Sequence, residues 1–317
     1  MLVRLALDWT PNTNHTGFYV AIAQGLYQKA GLEVQMITPD QDNYQTTPAK
    51  RVAQGLADLA IDPSESVISY QINGLPLVAV ATLLARDAST IATLQRSGIE
   101  RPSQLEGKIY GSYNARYEDE IIRQMMRNDG AQGQFSTRKP DRLSLWQALL
   151  DQQVDATWIF HPWEGVEALT TGIALNEFGL ADYGIPYGYS PILTATSDWA
   201  TQHATPLRQF LEATSQGFRF AVEQPDQAAS LLWQTANQAS LRDLNFLQQS
   251  QRVVSSYYLN ELGQWGWMDG AIWQQFINWL LERKLLKDKT GAPIEQMDAG
   301  KLFTNEYLPA RGVPTQD

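Results

Sequence analysis

Cysteine is absent from the 317 residues, histidine occurs only three times, and no stretch approaches the ~20 consecutive apolar residues a membrane-spanning helix needs. Without cysteine there are no disulfides, no thiolate nucleophile and no thiolate metal site, and the compartment is left open. His15, His161 and His203 fall into no HExxH or Ser-His-Asp pattern, so neither a metal site nor a hydrolytic triad is expected. Clustered positive charge is missing as well. The formal net charge is −10, and no Lys/Arg cluster reverses that sign locally, which disfavours nucleic acid and anionic lipid surfaces as partners. No secretory signal is visible, since the chain starts at Met1 in a strand-like run.

What is present is a folding composition: 44% hydrophobic, 10% aromatic and 18% charged residues. The length exceeds the usual single core, so two lobes are expected. Leu2–Leu7 reads as a strand, the polar segment Thr10–Asn14 as a loop, and His15–Ala30 as a helix closed by Gly31. Strand and helix then alternate: strand Leu32–Ile37, helix Thr47–Gln54, strand Ala57–Asp62, helix Ser64–Ile72 and strand Leu77–Ala85. After Arg86 the pattern restarts, with strands at Thr90–Leu94, Lys108–Gly111, Gln134–Thr137, Val154–Phe160 and Ile173–Phe178. The helices of this second part are Glu118–Asn128, Leu143–Gln152 and Trp163–Thr171. Such βαβ alternation implies mainly parallel sheets covered by helices.

Pro186–Thr196 reads as an extended return, and the chain from Asp198 onward as almost entirely helical. The aromatic stripes there, Trp265, Trp267, Trp273, Phe276 and Trp279, are expected to pack those helices onto the first lobe. The layout is an α/β, two-lobed, periplasmic-binding-protein-like fold of type II, with lobe 1 formed by 1–85 plus 195–317 and lobe 2 by 86–194. In such a fold the loops at the carboxyl ends of parallel strands converge on a ligand cleft, and closure is expected about the crossings near Ala81–Arg86 and Pro186–Leu193.

Trp9 follows the first strand and offers a flat face for stacking a heteroaromatic ring, a buried structural tryptophan being the alternative. Asp8 precedes it, and Asn12, Asn14 and His15 occupy the adjoining loop and helix start, where they bond ring nitrogens or satisfy the helix's own N–H groups; for Asn14 capping is preferred. Asp62-Pro63-Ser64-Glu65-Ser66 opens a helix, so that Ser64 or Ser66 caps it while Glu65 faces the cleft or solvent. Trp158, Trp163 and Glu164 follow the last long strand of the second part, and Tyr113, Tyr117, Tyr187 and Tyr189 lie in loops or crossings expected to border the cleft, Tyr187 as a second stacking face. A carboxylate at Glu164 suits an aminopyrimidine, accepting from its amine and from a protonated ring nitrogen, although a carboxylate in a first helical turn is also favourable by itself. Gly111-Ser112-Tyr113-Asn114 before a helix is a weak anion-binding pattern without a Gly-rich fingerprint.

The opening Ala6-Leu7-Asp8-Trp9-Thr10-Pro11-Asn12-Thr13-Asn14-His15-Thr16-Gly17, with Tyr19-Val20-Ala21 and Gly25-Leu26-Tyr27, resembles the start of the ThiY/THI5-like (NMT1/THI5-like) family. Gly55-Leu56-Ala57-Asp58, Leu105-Glu106-Gly107-Lys108, Val154-Asp155-Ala156-Thr157-Trp158, Trp163-Glu164-Gly165-Val166-Glu167 and Thr304-Asn305-Glu306-Tyr307-Leu308-Pro309 extend the resemblance along nearly the whole chain. The family contains importer binding proteins for thiamine-type pyrimidines and pyrimidine synthases. The synthases use a lysine to hold pyridoxal phosphate, a histidine that is consumed, and a cysteine-rich segment associated with iron; registered on Ala57-Asp58, Asp62 stands where the lysine belongs and Ser66 where the histidine belongs. The resemblance therefore implies a binding protein rather than an enzyme, without a cofactor.

What it implies further is capture of formylaminopyrimidine or hydroxymethylpyrimidine for an ABC permease and its ATPase, by a monomer located in the periplasm, or outside the cell on a membrane anchor, after export. Riboflavin is the competing ligand, and a sensor or an enzyme-associated domain the reading outside import. Sulfonate and nitrate, which the wider fold also carries, call for cationic side chains, whereas Asp8, Asp62, Glu65 and Glu164 are acidic.

Overall fold

The structure, a computed structural model, describes residues 1–139, 144–238, 241 and 243–310. Its strands are β1 Leu2–Ala6, β2 Glu33–Ile37, β3 Leu59–Asp62, β4 Leu77–Thr82, β5 Ser89–Leu94, β6 Ile109–Gly111, β7 Ser136–Arg138, β8 Ala156–Phe160, β9 Leu175–Gly179 and β10 Ile192–Thr196. The helices are α1 Thr16–Ala23, α2 Leu26–Lys29, α3 Pro48–Ala53, α4 Ser64–Ile72, α5 Glu118–Asn128, α6 Leu145–Leu150, α7 Val166–Thr171, α8 Ser197–Gln202, α9 Ala204–Glu223, α10 Pro225–Ala236, α11 Leu244–Tyr258 and α12 Gly270–Glu282. The chain forms two units, Met1–Asp87 with Gly188–Asp317, and Ala88–Tyr187.

The first unit is built on a five-stranded sheet of order β2-β1-β3-β10-β4. β1 runs parallel to β2 and β3, and β10 runs antiparallel to both β3 and β4. The second unit repeats the plan in the order β7-β6-β8-β5-β9, with β6 parallel to β7 and β8 and with β5 antiparallel to β8 and β9. Each sheet is thus mixed, where alternation alone implied a mainly parallel one. The reversed strand is in each case the first that the chain lays down on entering the unit, from the side where the parallel strands end. Because β10 belongs to the first sheet, the return boundary falls before Gly188 rather than after 194.

Local signals account for most element ends. Thr47 caps α3, accepting from the Lys50 N–H, and Asp243 caps α11, accepting from Phe246 N–H. The helix read as His15–Ala30 is interrupted: Gln24 ends α1 and Gly25, at φ 65°, starts α2. The helix expected from Leu143 begins outside the described residues. The C-terminal helices cover the first sheet: α1 crosses α9 where a Cβ on Gly217 would sit 2.0 Å from the Gly17 carbonyl oxygen, so the two backbones touch only because both residues are glycine. The aromatic stripes pack as expected. Trp265 stacks on Phe218 at 4.7 Å, Trp273 on Phe303 at 5.9 Å, and both tryptophans are fully buried, while Trp267 stays half-buried. No helix among the described residues is long and apolar enough to cross a membrane.

Candidate functional site

In the first unit the candidate residues gather where β1 and β3 end. Asn12 caps the short 3-10 turn Thr13–His15: its side-chain oxygen accepts from Asn14 N–H at 2.8 Å, and its amide group donates to the Thr10 carbonyl at 3.2 Å. The cap expected at Asn14 therefore lies at Asn12. His15 is fully buried; its Nδ1 accepts from Asn12 N–H at 3.3 Å, which places the ring proton on Nε2, and Nε2–H donates to Asp8 Oδ1 at 2.8 Å. With both nitrogens engaged, His15 orients Asp8 instead of reaching a ligand.

The same loop is tied to α11. Thr13 Oγ1 bonds Ser250 Oγ at 2.7 Å, Thr16 donates to Gln251 Oε1 at 2.6 Å, Gln251 bonds Ser255 and Tyr258, and the Tyr258 hydroxyl donates to the Thr13 carbonyl. A buried network of this kind fixes a loop rigidly because every member loses a partner if one moves. Much of the Asn12–Thr16 pattern thus positions the two residues before it that keep some exposure, Asp8 and Trp9. Trp9 meets Tyr44 edge-on at 5.7 Å, with the planes at 62°.

At the end of β3, Pro63 is the N-terminal boundary of α4 and no side chain caps it, so neither Ser64 nor Ser66 performs the expected capping. Ser66 Oγ instead donates back to Asp62 Oδ1 at 3.1 Å. Ser64 and Glu65 are both buried, which rules out the solvent-facing alternative for Glu65. Asp62 Oδ2, Ser64 Oγ and the Tyr44 hydroxyl are buried without a hydrogen-bond partner. Burial raises the Asp62 carboxyl well above its ordinary value; Ser66 pulls it down, and the nearby Asp8 charge pushes it further up. Tyr44 and the unpartnered Oδ2 of Asp62 were not legible as site features, since each depends on which loops pack together.

In the second unit the candidates lie where β6 and β8 end. Glu118, near the start of α5, is buried and accepts from the Tyr110 hydroxyl, the Ser112 hydroxyl, Tyr113 N–H and Ala115 N–H, at 2.9, 2.9, 3.1 and 2.9 Å. Within Ser112–Asn114, Glu118 takes the Tyr113 N–H, the Ser112 N–H donates to the Arg138 carbonyl and the Asn114 N–H to the Ser112 hydroxyl, which overturns the anion-binding reading of this loop. Tyr113 is held by that carboxylate, and the charges of Glu164 and Glu118, added to burial, keep the Tyr113 phenol far above its ordinary value.

After β8 the chain makes a π-turn, His161–Gly165, in place of the first turn of the expected helix from Trp163. Glu164 Oε2 accepts from Phe160 N–H at 3.0 Å, so the carboxylate is fixed by the turn that carries it. Trp158 and Tyr187 meet edge-on at 5.3 Å and 64°, and Trp163 is half-buried on the same turn. Tyr189, by contrast, is a core residue: it packs on Trp273 and its hydroxyl accepts from Asp269 N–H at 2.9 Å. Among the described residues no cluster of three or more His, Cys, Asp or Glu side chains is arranged for a metal ion. Pyridoxal phosphate does not fit at Asp62, because a buried carboxylic acid has no amine with which to form an imine.

In both units, then, aromatic rings and fixed carboxylates stand at the carboxyl ends of parallel strands, the position where open α/β sheets receive ligands. The family described as NMT1/THI5 like matches residues 12–228. The chain belongs to the NMT1/THI5-like family. Within reach of this family, a formylaminopyrimidine-binding protein of Halalkalibacterium halodurans is 25% identical over 282 residues, covering 88% of this chain and 84% of the relative. The riboflavin-binding protein RibY of Chloroflexus aurantiacus is 26% identical over 320 residues, covering 97% and 86%. Among solved structures, the alkanesulfonate-binding protein SsuA from Xanthomonas axonopodis pv. citri superimposes with a TM-score of 0.71 at 14% identity, covering 96% of this chain and 98% of that one. This NMT1/THI5-like chain therefore has the two-lobed periplasmic-binding-protein fold, and at that identity the likeness to SsuA extends to fold alone.

Proposed function

We propose that this protein is the substrate-binding component of an ABC importer and that it captures a thiamine-type aminopyrimidine, formylaminopyrimidine or hydroxymethylpyrimidine, outside the cytoplasm for a permease and its ATPase. The observation that carries this reading is the chemistry at the strand ends of each unit: Trp9 and Asp8 in the first, and Trp158, Tyr187 and Glu164 in the second, with Glu164 already held by Phe160 N–H. Flat faces suit a heteroaromatic ring, and a carboxylate fixed in advance accepts from an exocyclic amine without further ordering cost. The Halalkalibacterium relative supports the pyrimidine, and the carboxylates at these strand ends disfavour an anionic ligand. A few such contacts suffice for roughly micromolar affinity, about −8 kcal/mol.

Calorimetric titration of ligand-stripped protein with formylaminopyrimidine, hydroxymethylpyrimidine, thiamine and riboflavin tests the reading. Saturable pyrimidine binding is the expected result, with Trp9→Ala weakening every aromatic ligand by roughly tenfold or more and Glu164→Gln weakening aminopyrimidines selectively. Equal affinities for wild type and Glu164→Gln would remove Glu164 from its role. Riboflavin is the second reading, favoured by the nearly full-length match to RibY, and tight riboflavin binding alone would reassign the ligand while keeping the importer role.

A further inference from the structure

Asp62 is the last residue of β3, and the parallel register of β1 with β3 pairs Leu5 with Leu59 and Ala6 with Ala60. Continued for two residues, that register brings Asp62 level with Asp8. The two carboxyl groups differ in what holds them. Asp8 accepts from the buried His15, whereas Asp62, 3% exposed, takes the Ser66 hydroxyl on Oδ1, has the Ala49 backbone N–H nearby as a minor influence, and leaves Oδ2 buried with no hydrogen-bond partner. Two positions further along, Ser64 Oγ is a second buried polar atom without a partner. Among the described residues no ion pair reaches Asp62. A buried polar atom left unsatisfied costs about 1–3 kcal/mol, so the bare Oδ2 of Asp62 at a strand end points to a group that arrives from outside the chain.

We infer that Asp62 is a further specificity-determining residue, one that contacts the ligand by donating a hydrogen bond from its Oδ2 to an acceptor atom of the ring. This deepens the aminopyrimidine reading and rests on it. Donation requires the carboxyl to carry its proton, and the surroundings favour that form: burial disfavours the anion, and the adjacent Asp8 charge disfavours it again. Asp8 and Asp62 then divide the work as two carboxyls in unlike settings, one accepting and one donating. The ligand that fits presents an unprotonated ring nitrogen or a carbonyl to Asp62 and an amine to a carboxylate. An edge with an acceptor beside a donor is what an aminopyrimidine offers; a purely donating ligand leaves the Oδ2 proton without an acceptor.

Two substitutions separate donation from acceptance. Asp62→Asn keeps a donor of the same size, and Asp62→Leu removes the polar group and fills the space with carbon; both are first checked by thermal unfolding to be folded. Titration uses whichever of the four ligands saturates the wild type. The expected result is that Asp62→Asn binds within about threefold of the wild type while Asp62→Leu binds at least thirtyfold more weakly. Wild-type affinity in Asp62→Leu overturns the contact, and an Asp62→Asn as weak as Asp62→Leu overturns donation. If the wild type is saturated by riboflavin and by no pyrimidine, the ligand reading fails, and the two variants still decide the role of Asp62.

Discussion

Two buried carboxyl groups, one in each unit, sit near the end of a parallel strand and are treated in opposite ways. Glu118 in the second unit has donors on both oxygens, two hydroxyls and two backbone N–H groups. Asp62 in the first unit has the Ser66 hydroxyl on Oδ1, a minor influence from the Ala49 backbone N–H, and no hydrogen-bond partner on Oδ2. Burial raises both above the ordinary carboxylate range, but the hydrogen bonds to Glu118 favour its anion while Asp8 adds to the cost of the Asp62 anion. The difference separates a group that completes the fold from a group that the fold leaves incomplete. A completed carboxylate contributes stability and is expensive to delete; an incomplete one is a local liability that a ligand relieves.

The largest expected effect breaks the second unit. Glu118→Ala strands the Tyr110 and Ser112 hydroxyls and the N–H groups of Tyr113 and Ala115, and is expected to cost about 3 kcal/mol or more of unfolding free energy. Denaturant unfolding checks this, and an unchanged midpoint would mean the loop is not held by Glu118. Asp62→Asn in the ligand-free protein is expected to act in the opposite sense. The folded state keeps its proton on Asp62 to higher pH than the unfolded chain does, so wild-type stability falls as pH rises from the ordinary carboxylate value toward the raised one. Asparagine has no such loss. The variant is therefore expected to match the wild type in acid and to exceed it once the pH has passed the raised value. Thermal midpoints across the pH range measure it, and a constant difference at all pH would show that Asp62 is not held protonated.

These contrasts also mark how far the sequence could be read. Alternation of apolar runs placed α4 and α5 close to their observed spans, Ser64–Ile72 and Glu118–Asn128, although no side chain caps either helix at its start. The reversal of β5 and β10 was not legible, since strand direction depends on where the chain enters a sheet and not on the residues within the strand. At the site, Trp9, Asp8 and Glu164 were visible as residue types at strand ends. The division of the Asn12–Thr16 segment into a cap, two anchors and a buried histidine was not, because its partners Ser250, Gln251 and Tyr258 lie more than two hundred residues away in sequence. Tyr44 and the bare Oδ2 of Asp62 escaped for the same reason: what singles them out is an unsatisfied atom, and satisfaction is a property of three-dimensional neighbours.

The smallest expected effect sharpens the comparison through the two histidine–carboxylate pairs. His15 with Asp8 in the first unit is closed to solvent on the histidine side, whereas His161 with Glu177 in the second is open, the imidazole side chain being 42% exposed. The hydrogen bond to Glu177 raises His161 above its ordinary value; burial opposes the charged form of Glu177, but His161 and Thr90 outweigh it and lower that carboxyl. Stability from the raised histidine is fully present below its ordinary value and is lost as pH rises through the raised one, while the carboxylate's share is lost as pH falls through its lowered value. The pair therefore contributes in the window between those two values. Solvent screening keeps its worth below about 1 kcal/mol. His161→Gln is expected to lower the unfolding midpoint slightly within that window and not at all at alkaline pH. Glu164 stands in the turn that His161 begins, so ligand affinity in the same variant reports whether the pair also steadies that carboxylate. A variant with intact stability but weaker binding would make His161 a positioning residue, and unchanged binding would confine it to the fold.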